Sequence, residues 1–189
     1  MITQLDFYIL NLIQGMRTPF LDFLIPLITY LGSGGTVWIT IAVIMLFFRK
    51  SRKAGITVLV SLLMGLLLST VMLKGLIGRV RPFNMPQGLL DASSLLIGVP
   101  SGEFSFPSGH SVSSFSAAMV LTMFDKRIGI PAFILASLIA FSRLYLYVHF
   151  PTDILGGLVL GIVFAVVSDY IVNKIGDKLN ERKLSGNIK

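Results

Sequence analysis

His110 and His149 are the only two histidines in this 189-residue chain. Each stands beside basic residues at the mouth of a long apolar segment, where hydrocarbon tolerates charge only at a cost. Three stretches are concerned: Lys74-Gly-Leu-Ile-Gly-Arg-Val-Arg81-Pro82, Pro107-Ser-Gly-His110, and Ser142-Arg143-Leu-Tyr-Leu-Tyr-Val-His149-Phe-Pro-Thr-Asp153. Besides Arg79, they supply the three cations Lys74, Arg81 and Arg143, two imidazoles and one carboxylate. Such a set can hold a phosphate and break its ester bond. The cations neutralise phosphate oxygens and the charge that develops on them during transfer. One imidazole attacks phosphorus and becomes a phosphohistidine. The second protonates the leaving oxygen and then, as a neutral base, activates water.

The spacing suggests how these groups are positioned. Lys74 and Arg81 are seven residues apart, close to two helical turns, which predicts that both project from one face of a helix ending at Pro82. Ser108 is a good N-cap for a helix beginning beside it, whose first free amides attract anions. Gly109 lets the backbone approach an oxyanion, and the Ser108 hydroxyl adds a donor. Asp153 follows His149 by four residues. A carboxylate there can accept the Nδ1 proton and leave Nε2 free to attack. Each feature alone has a plainer reading: snorkelling cations, a common Ser-Gly helix start, a carboxylate favoured by a helix dipole.

The elements that must carry these groups are membrane helices. Hydrophobic residues make up 54% of the chain and charged residues 13%, and mean hydropathy is +0.83. Uncharged apolar runs near twenty residues argue for bilayer helices rather than a soluble domain. Six are expected, at about Pro19–Leu31, Thr36–Phe48, Ala54–Leu73, Ser108–Phe124, Ile128–Val148 and Pro151–Asn173. The fold class expected is therefore all-α, a six-transmembrane-helix bundle, with residues 1–189 forming one domain. Before the bundle, Ile2, Leu5, Ile9, Leu12 and Met16 recur at helical spacing, which suits a short amphipathic helix on the membrane surface. Met1 to Met16 carries no basic n-region, so no removable signal peptide is expected.

The net charge of +7 lies in short basic clusters between apolar spans, a pattern of lipid retention and topology control rather than of nucleic-acid binding. If both termini are cytoplasmic, twelve of the sixteen basic residues fall on the inner side. The four left outside are Lys74, Arg79, Arg81 and Arg143, and the third-to-fourth and fifth-to-sixth connections share that outer face. With no cysteine there is no disulfide, thiolate nucleophile or thiolate metal site. His110, His149 and Asp153 could ligate zinc, but three neighbouring cations would repel it. No metal and no cofactor is expected.

The pattern Lys-x6-Arg-Pro, Pro-Ser-Gly-His and Ser-Arg-x5-His-x3-Asp resembles the three-part signature of the type 2 phosphatidic acid phosphatase superfamily. The signature occupies Lys74 to Asp153. The resemblance implies a metal-independent lipid phosphatase with His149 as nucleophile, Asp153 as its orienting partner and His110 as general acid. Lys74, Arg81, Ser108, Gly109 and Arg143 would hold the phosphate. It implies substrates such as undecaprenyl pyrophosphate, phosphatidylglycerophosphate or phosphatidate, reached laterally from lipid, with Tyr145 and Tyr147 as candidates to border the opening. A lipid phosphotransferase of the same family is the nearest alternative. A transporter of anionic lipid fits less well, because polar residues gather at one rim rather than at mid-membrane.

Overall fold

The computed structural model describes residues 2–100, 102 and 104–186. Its elements are α1 (Ile2–Gln14), α2 (Pro19–Gly32), α3 (Thr36–Leu46), α4 (Arg52–Met64), α5 (Lys74–Ile77), α6 (Gly109–Phe124), α7 (Lys126–Tyr145) and α8 (Pro151–Gly186). A π-helical stretch, Gly65–Leu73, joins α4 to α5 without a break. Among the described residues there is no strand, only an isolated bridge between Val80 and Phe104. Four helical runs are long and apolar enough to cross a membrane: Pro19–Leu46, Arg52–Ile77, Lys126–Tyr145 and Pro151–Leu179. The first of these contains α2 and α3, which part at Gly34 and Gly35, both at positive φ.

Helix α6 is the centre of the bundle, packed on α4, α7 and α8. Small residues permit the closest approach. A Cβ on Gly157 would lie 2.7 Å from the Ser111 Cβ, and one on Gly161 would lie 2.8 Å from the Val112 carbonyl. Such small-residue seams let helix backbones meet where no hydrophobic effect drives them together. The main apolar core gathers Trp38, Val58, Phe115, Leu121 and Ile139 around α6. Inside it, the Trp38 indole donates to the Ser114 hydroxyl at 2.9 Å.

A second core lies at the end of the bundle that carries both histidines. It unites Phe7, Leu10 and Ile13 of α1 with Phe83, Phe150 and the segment from Tyr145 to Val148. The apolar stripe of α1 lies mostly on its outward side, with Ile9 partly packed against this core. Leu5, Leu12 and Met16 are exposed, and the side chain of Ile2 lies outside the described residues. Buried instead, beside Phe7, Leu10 and Ile13, are the polar Asp6 and Gln14. Gln14 donates to the Tyr145 carbonyl at 3.0 Å.

Three expectations need correction. The helix bearing Lys74 ends at Gly78, in the left-handed conformation (φ 61), and not at Pro82. Arg81 is extended (φ −73, ψ 153), so it does not share a helix face with Lys74. Helix α7 stops at Tyr145 rather than Val148, and both tyrosines turn inward. Tyr145 and Tyr147 are fully buried, so neither borders an opening to lipid.

Candidate active site

A cavity of about 570 Å³ receives Lys74, Arg81, Gly109, His110, Arg143 and His149 in its wall. Four separate segments deliver them: the end of the α4–α5 run, the extended chain after it, the start of α6, and the end of α7 with the turn that follows. Ser108 and Asp153 stand immediately behind this wall. Aliphatic side chains line the same cavity, with Ile39 from α3 and Leu59, Leu62, Leu63 and Leu66 from the α4 run. Ile39, Leu63 and Leu66 are also among the exposed hydrophobics.

Two glycines shape the path into this cavity. Gly78 takes the positive φ that few side chains adopt, which turns the chain out of α5 so that Val80 can bridge to Phe104. Arg81 then reaches back, its Nε donating to the Gly102 carbonyl at 3.1 Å and Nη1 to the Val148 carbonyl at 3.0 Å. Gly32 closes α2 against His110. A Cβ there would stand 2.5 Å from Ile139 Cγ2 and 2.9 Å from His110 Cδ2.

The turn from Tyr145 to Phe150 is held from both sides. Tyr147 carries a positive φ of 59, an uncommon conformation for a bulky residue that persists only when surroundings impose it. Its hydroxyl accepts from the Leu89 amide at 2.9 Å and donates to Asn11 Oδ1 at 3.3 Å. Thus α1 and the long connection between α5 and α6 jointly fix the backbone that presents His149. Arg143, buried, donates through Nη1 to Thr29 Oγ1 at 2.7 Å.

At the start of α6, the Ser108 hydroxyl accepts from the Ser111 amide at 3.5 Å and so caps the helix. Its own amide donates to the Asp153 carbonyl at 3.2 Å. The starts of α6 and α8 are thereby locked side by side. Ser108 is placed as a cap, and Gly109 is the residue that meets the cavity.

Asp153 is fully buried, and its two oxygens have different partners. Oδ2 accepts from the Phe150 amide at 2.8 Å and lies 3.5 Å from His149 Nδ1. That second distance is long for a hydrogen bond, as such contacts often are before substrate binds. Oδ1 accepts from Arg79 Nη1 at 2.6 Å. Burial pushes the His149 imidazole down to about 3, against the opposing pull of Asp153 and reinforced by Arg81 and Arg143. The ring is therefore neutral, with a lone pair available, throughout the physiological range. His110 Nε2 and Arg143 Nε are buried without a hydrogen-bond partner among the described residues. Unsatisfied buried groups on a cavity wall are suited to an incoming polar ligand.

Arg79 and Asp6 are drawn into this neighbourhood without any motif to mark them. Arg79 carried one signal, being one of four basic residues on the side where few were expected. Asp6 carried none, since nothing in a single sequence links it to a partner 73 residues away. Among the described residues, no three His, Asp or Glu gather as a metal-binding group.

The chain belongs to the PAP2 superfamily, whose signature matches residues 54–177. It is 35% identical over 126 residues to an undecaprenyl-diphosphatase of Sulfolobus acidocaldarius, covering 66% of this chain and 58% of that protein. It is 37% identical over 153 residues to phosphatidylglycerophosphatase B of Bacillus subtilis, covering 75% and 64%. The chain thus spans less than two thirds of the length of either. Its fold is similar to the crystal structure of a transmembrane PAP2-type phosphatidylglycerolphosphate phosphatase from Bacillus subtilis. That similarity has a TM-score of 0.70 at 33% identity, covering 92% of this chain and 87% of the other.

Proposed function

We propose that this protein is an integral membrane lipid phosphatase that removes the terminal phosphate of a lipid mono- or diphosphate through a phosphohistidine on His149. One observation carries the reading: a single cavity is lined both by cations and two imidazoles and by aliphatic side chains of α3 and the α4 run. A phosphate headgroup suits the first group and a hydrocarbon chain the second. The named activities of the relatives support the same class, with undecaprenyl pyrophosphate, phosphatidylglycerophosphate and phosphatidate as the candidate substrates.

In this mechanism Lys74, Arg81 and Arg143 hold the phosphate oxygens, with the Gly109 amide at the start of α6 and the Ser108 cap behind it. Asp153 keeps the proton on His149 Nδ1, so that Nε2 attacks phosphorus. The Nε2–P bond forms as the bond to the leaving oxygen breaks, and that oxygen takes a proton from His110. Water then attacks the phosphohistidine and gives a proton to neutral His110. Inorganic phosphate leaves and both histidines return to their starting state. The cations fill the charge-neutralising role, so the scheme needs no metal.

The proposed topology has five crossings: the α2–α3 run, the α4–α5 run, α6, α7 and α8. The α2–α3 run counts once, because α2 begins beside Tyr145 and ends beside His110, both near the site. The site then faces outward and the C-terminus is cytoplasmic, in line with the basic clusters at Arg49–Lys53, Lys126–Arg127 and the C-terminal tail. The N-terminal helix is outside rather than cytoplasmic as the sequence suggested. Helix α1 lies at the outer rim in contact with the site. The side on which α1 lies is the sharpest test of this topology. Cysteine labelling from either side, at Tyr8 and at Asp91, would measure it.

The functional test is phosphate release from purified protein in detergent. Wild type and His149→Ala are compared across the candidate lipids, with and without a lipid acceptor. Release of inorganic phosphate by wild type alone supports hydrolysis. Label passing to the acceptor instead would make the protein a phosphotransferase, and equal release by His149→Ala would reject the mechanism.

A further inference from the structure

A second charged group lies directly behind the nucleophile. Arg79 bridges two carboxylates, with Nη1 2.6 Å from Asp153 Oδ1 and Nη2 2.6 Å from Asp6 Oδ2. Its Nη1 also donates to Thr152 Oγ1 at 2.6 Å, and the guanidinium lies 4.1 Å from the centroid of the Phe150 ring. Asp6 is itself buried and doubly engaged on α8. Its Oδ1 accepts from the Thr152 amide at 3.1 Å and its Oδ2 from the Thr152 hydroxyl at 2.7 Å. The chain of contacts runs from α1 through Arg79 to Asp153 and ends at His149.

We propose that Arg79 and Asp6 are positioning residues for the phosphoryl-transfer step, acting on His149 through Asp153. The inference rests on the phosphohistidine reading above. Two physical arguments support it. First, Asp153 is fully buried beside a neutral imidazole, and a buried carboxylate without a fixed cation tends to take up a proton. Arg79 supplies that cation and occupies Oδ1, which leaves Oδ2 aimed at Nδ1. A guanidinium reaches both carboxylates at once, through Nη1 and Nη2, and stacks on an aromatic face, which an ammonium does less well.

Second, the charges are matched to the reaction. Asp6, Arg79 and Asp153 together carry a net charge of −1 by their formal charges. When Nε2 bonds to phosphorus while Nδ1 keeps its proton, the ring gains positive charge. The group behind it is poised to offset that gain. Asp6 also prevents Arg79 from swinging toward the phosphate, where Lys74, Arg81 and Arg143 already stand. The N-terminal helix is therefore part of the apparatus that aims the nucleophile, although none of its residues touches the cavity.

A double-mutant cycle separates this role from a purely structural one. Steady-state kcat and KM for a lipid phosphate are measured for wild type, Arg79→Gln, Asp153→Asn and the double variant, with His149→Ala as a control. If Arg79 acts through Asp153, Arg79→Gln lowers kcat by roughly tenfold or more with little change in KM. In the Asp153→Asn background it then costs less than about twofold, because the shared partner is already disabled. Arg79→Lys should recover part of the lost kcat. Asp6→Asn keeps one acceptor for the Thr152 amide but replaces the oxygen that meets Arg79 with a donor, and it carries the same cycle if Arg79→Gln does not fold. Equal losses in both backgrounds, or a loss confined to KM, would overturn the positioning role while leaving the phosphohistidine mechanism intact. Wild-type turnover by His149→Ala would overturn both.

Discussion

Lys74 and Arg81 meet on one cavity although Gly78 breaks the helix between them. Lys74 arrives from the first position of α5, and Arg81 from extended chain tied to the carbonyls of Gly102 and Val148. The fixed spacing of these two cations therefore encodes a helix, a left-handed turn and a return, and not a helix face. A Cβ at position 78 meets only Phe104 Cε1 at 3.8 Å, so space is not the constraint. Conformation is. Gly78→Ala should destabilise the protein by about 1 kcal/mol and raise KM by misplacing Arg81. Gly78→Asn should do less harm, because asparagine tolerates the left-handed region. Thermal melts in detergent together with KM values would check the order of the three proteins.

Gly32 sets the position of His110 by what it lacks. The 2.5 Å and 2.9 Å approaches to Ile139 and His110 leave no room for a methyl group. Gly32→Ala should cost about 1–3 kcal/mol of stability through overpacking. It should also lower kcat more for substrates with poor leaving groups than for an activated aryl phosphate, since only the former require a well-placed acid. An equal loss for both substrates would mean that His110 does not protonate the leaving oxygen.

The low affinity of His149 for protons links folding to pH. The folded ring titrates at about 3, whereas an unfolded histidine titrates near 6.5. Between these values the unfolded chain holds a proton that the folded chain refuses. The stability from this group is complete above pH 6.5 and is lost as pH falls toward 3, at up to about 1.4 kcal/mol per unit. Melting temperature should thus decline from pH 6.5 to pH 5, and His149→Gln should flatten that decline. An unchanged slope in the variant would show that the ring is not buried in its neutral form.

The sequence marks the residues that meet the cavity better than it marks what holds them. Lys74, Arg81, Gly109, His110, Arg143 and His149, singled out by type, spacing and the family resemblance, all line the cavity. The supporting shell left no such mark. The apolar stripe of α1 suits the membrane surface, but nothing in it tells what the other face holds. On α1 the exposed side carries Leu5, Leu12 and Met16, while Asp6 and Gln14 turn inward to Arg79, Thr152 and Tyr145. Tyr145 and Tyr147 likewise looked like interfacial residues and are internal braces. Tyr145 donates to Asp22 Oδ1 at 2.7 Å, and Tyr147 ties together α1 and the Leu89 segment. Each of these contacts joins positions more than fifty residues apart, and no local pattern records such a pairing.

The nucleophile itself admits a direct measurement. Purified protein is mixed with a lipid substrate labelled in its terminal phosphate, quenched in alkali within one turnover, digested and mapped by mass spectrometry. The mechanism predicts an acid-labile phosphoryl group on His149 that chases to inorganic phosphate and is missing from His149→Ala. Label found on another residue, or His149→Ala releasing phosphate at the wild-type rate, would contradict it.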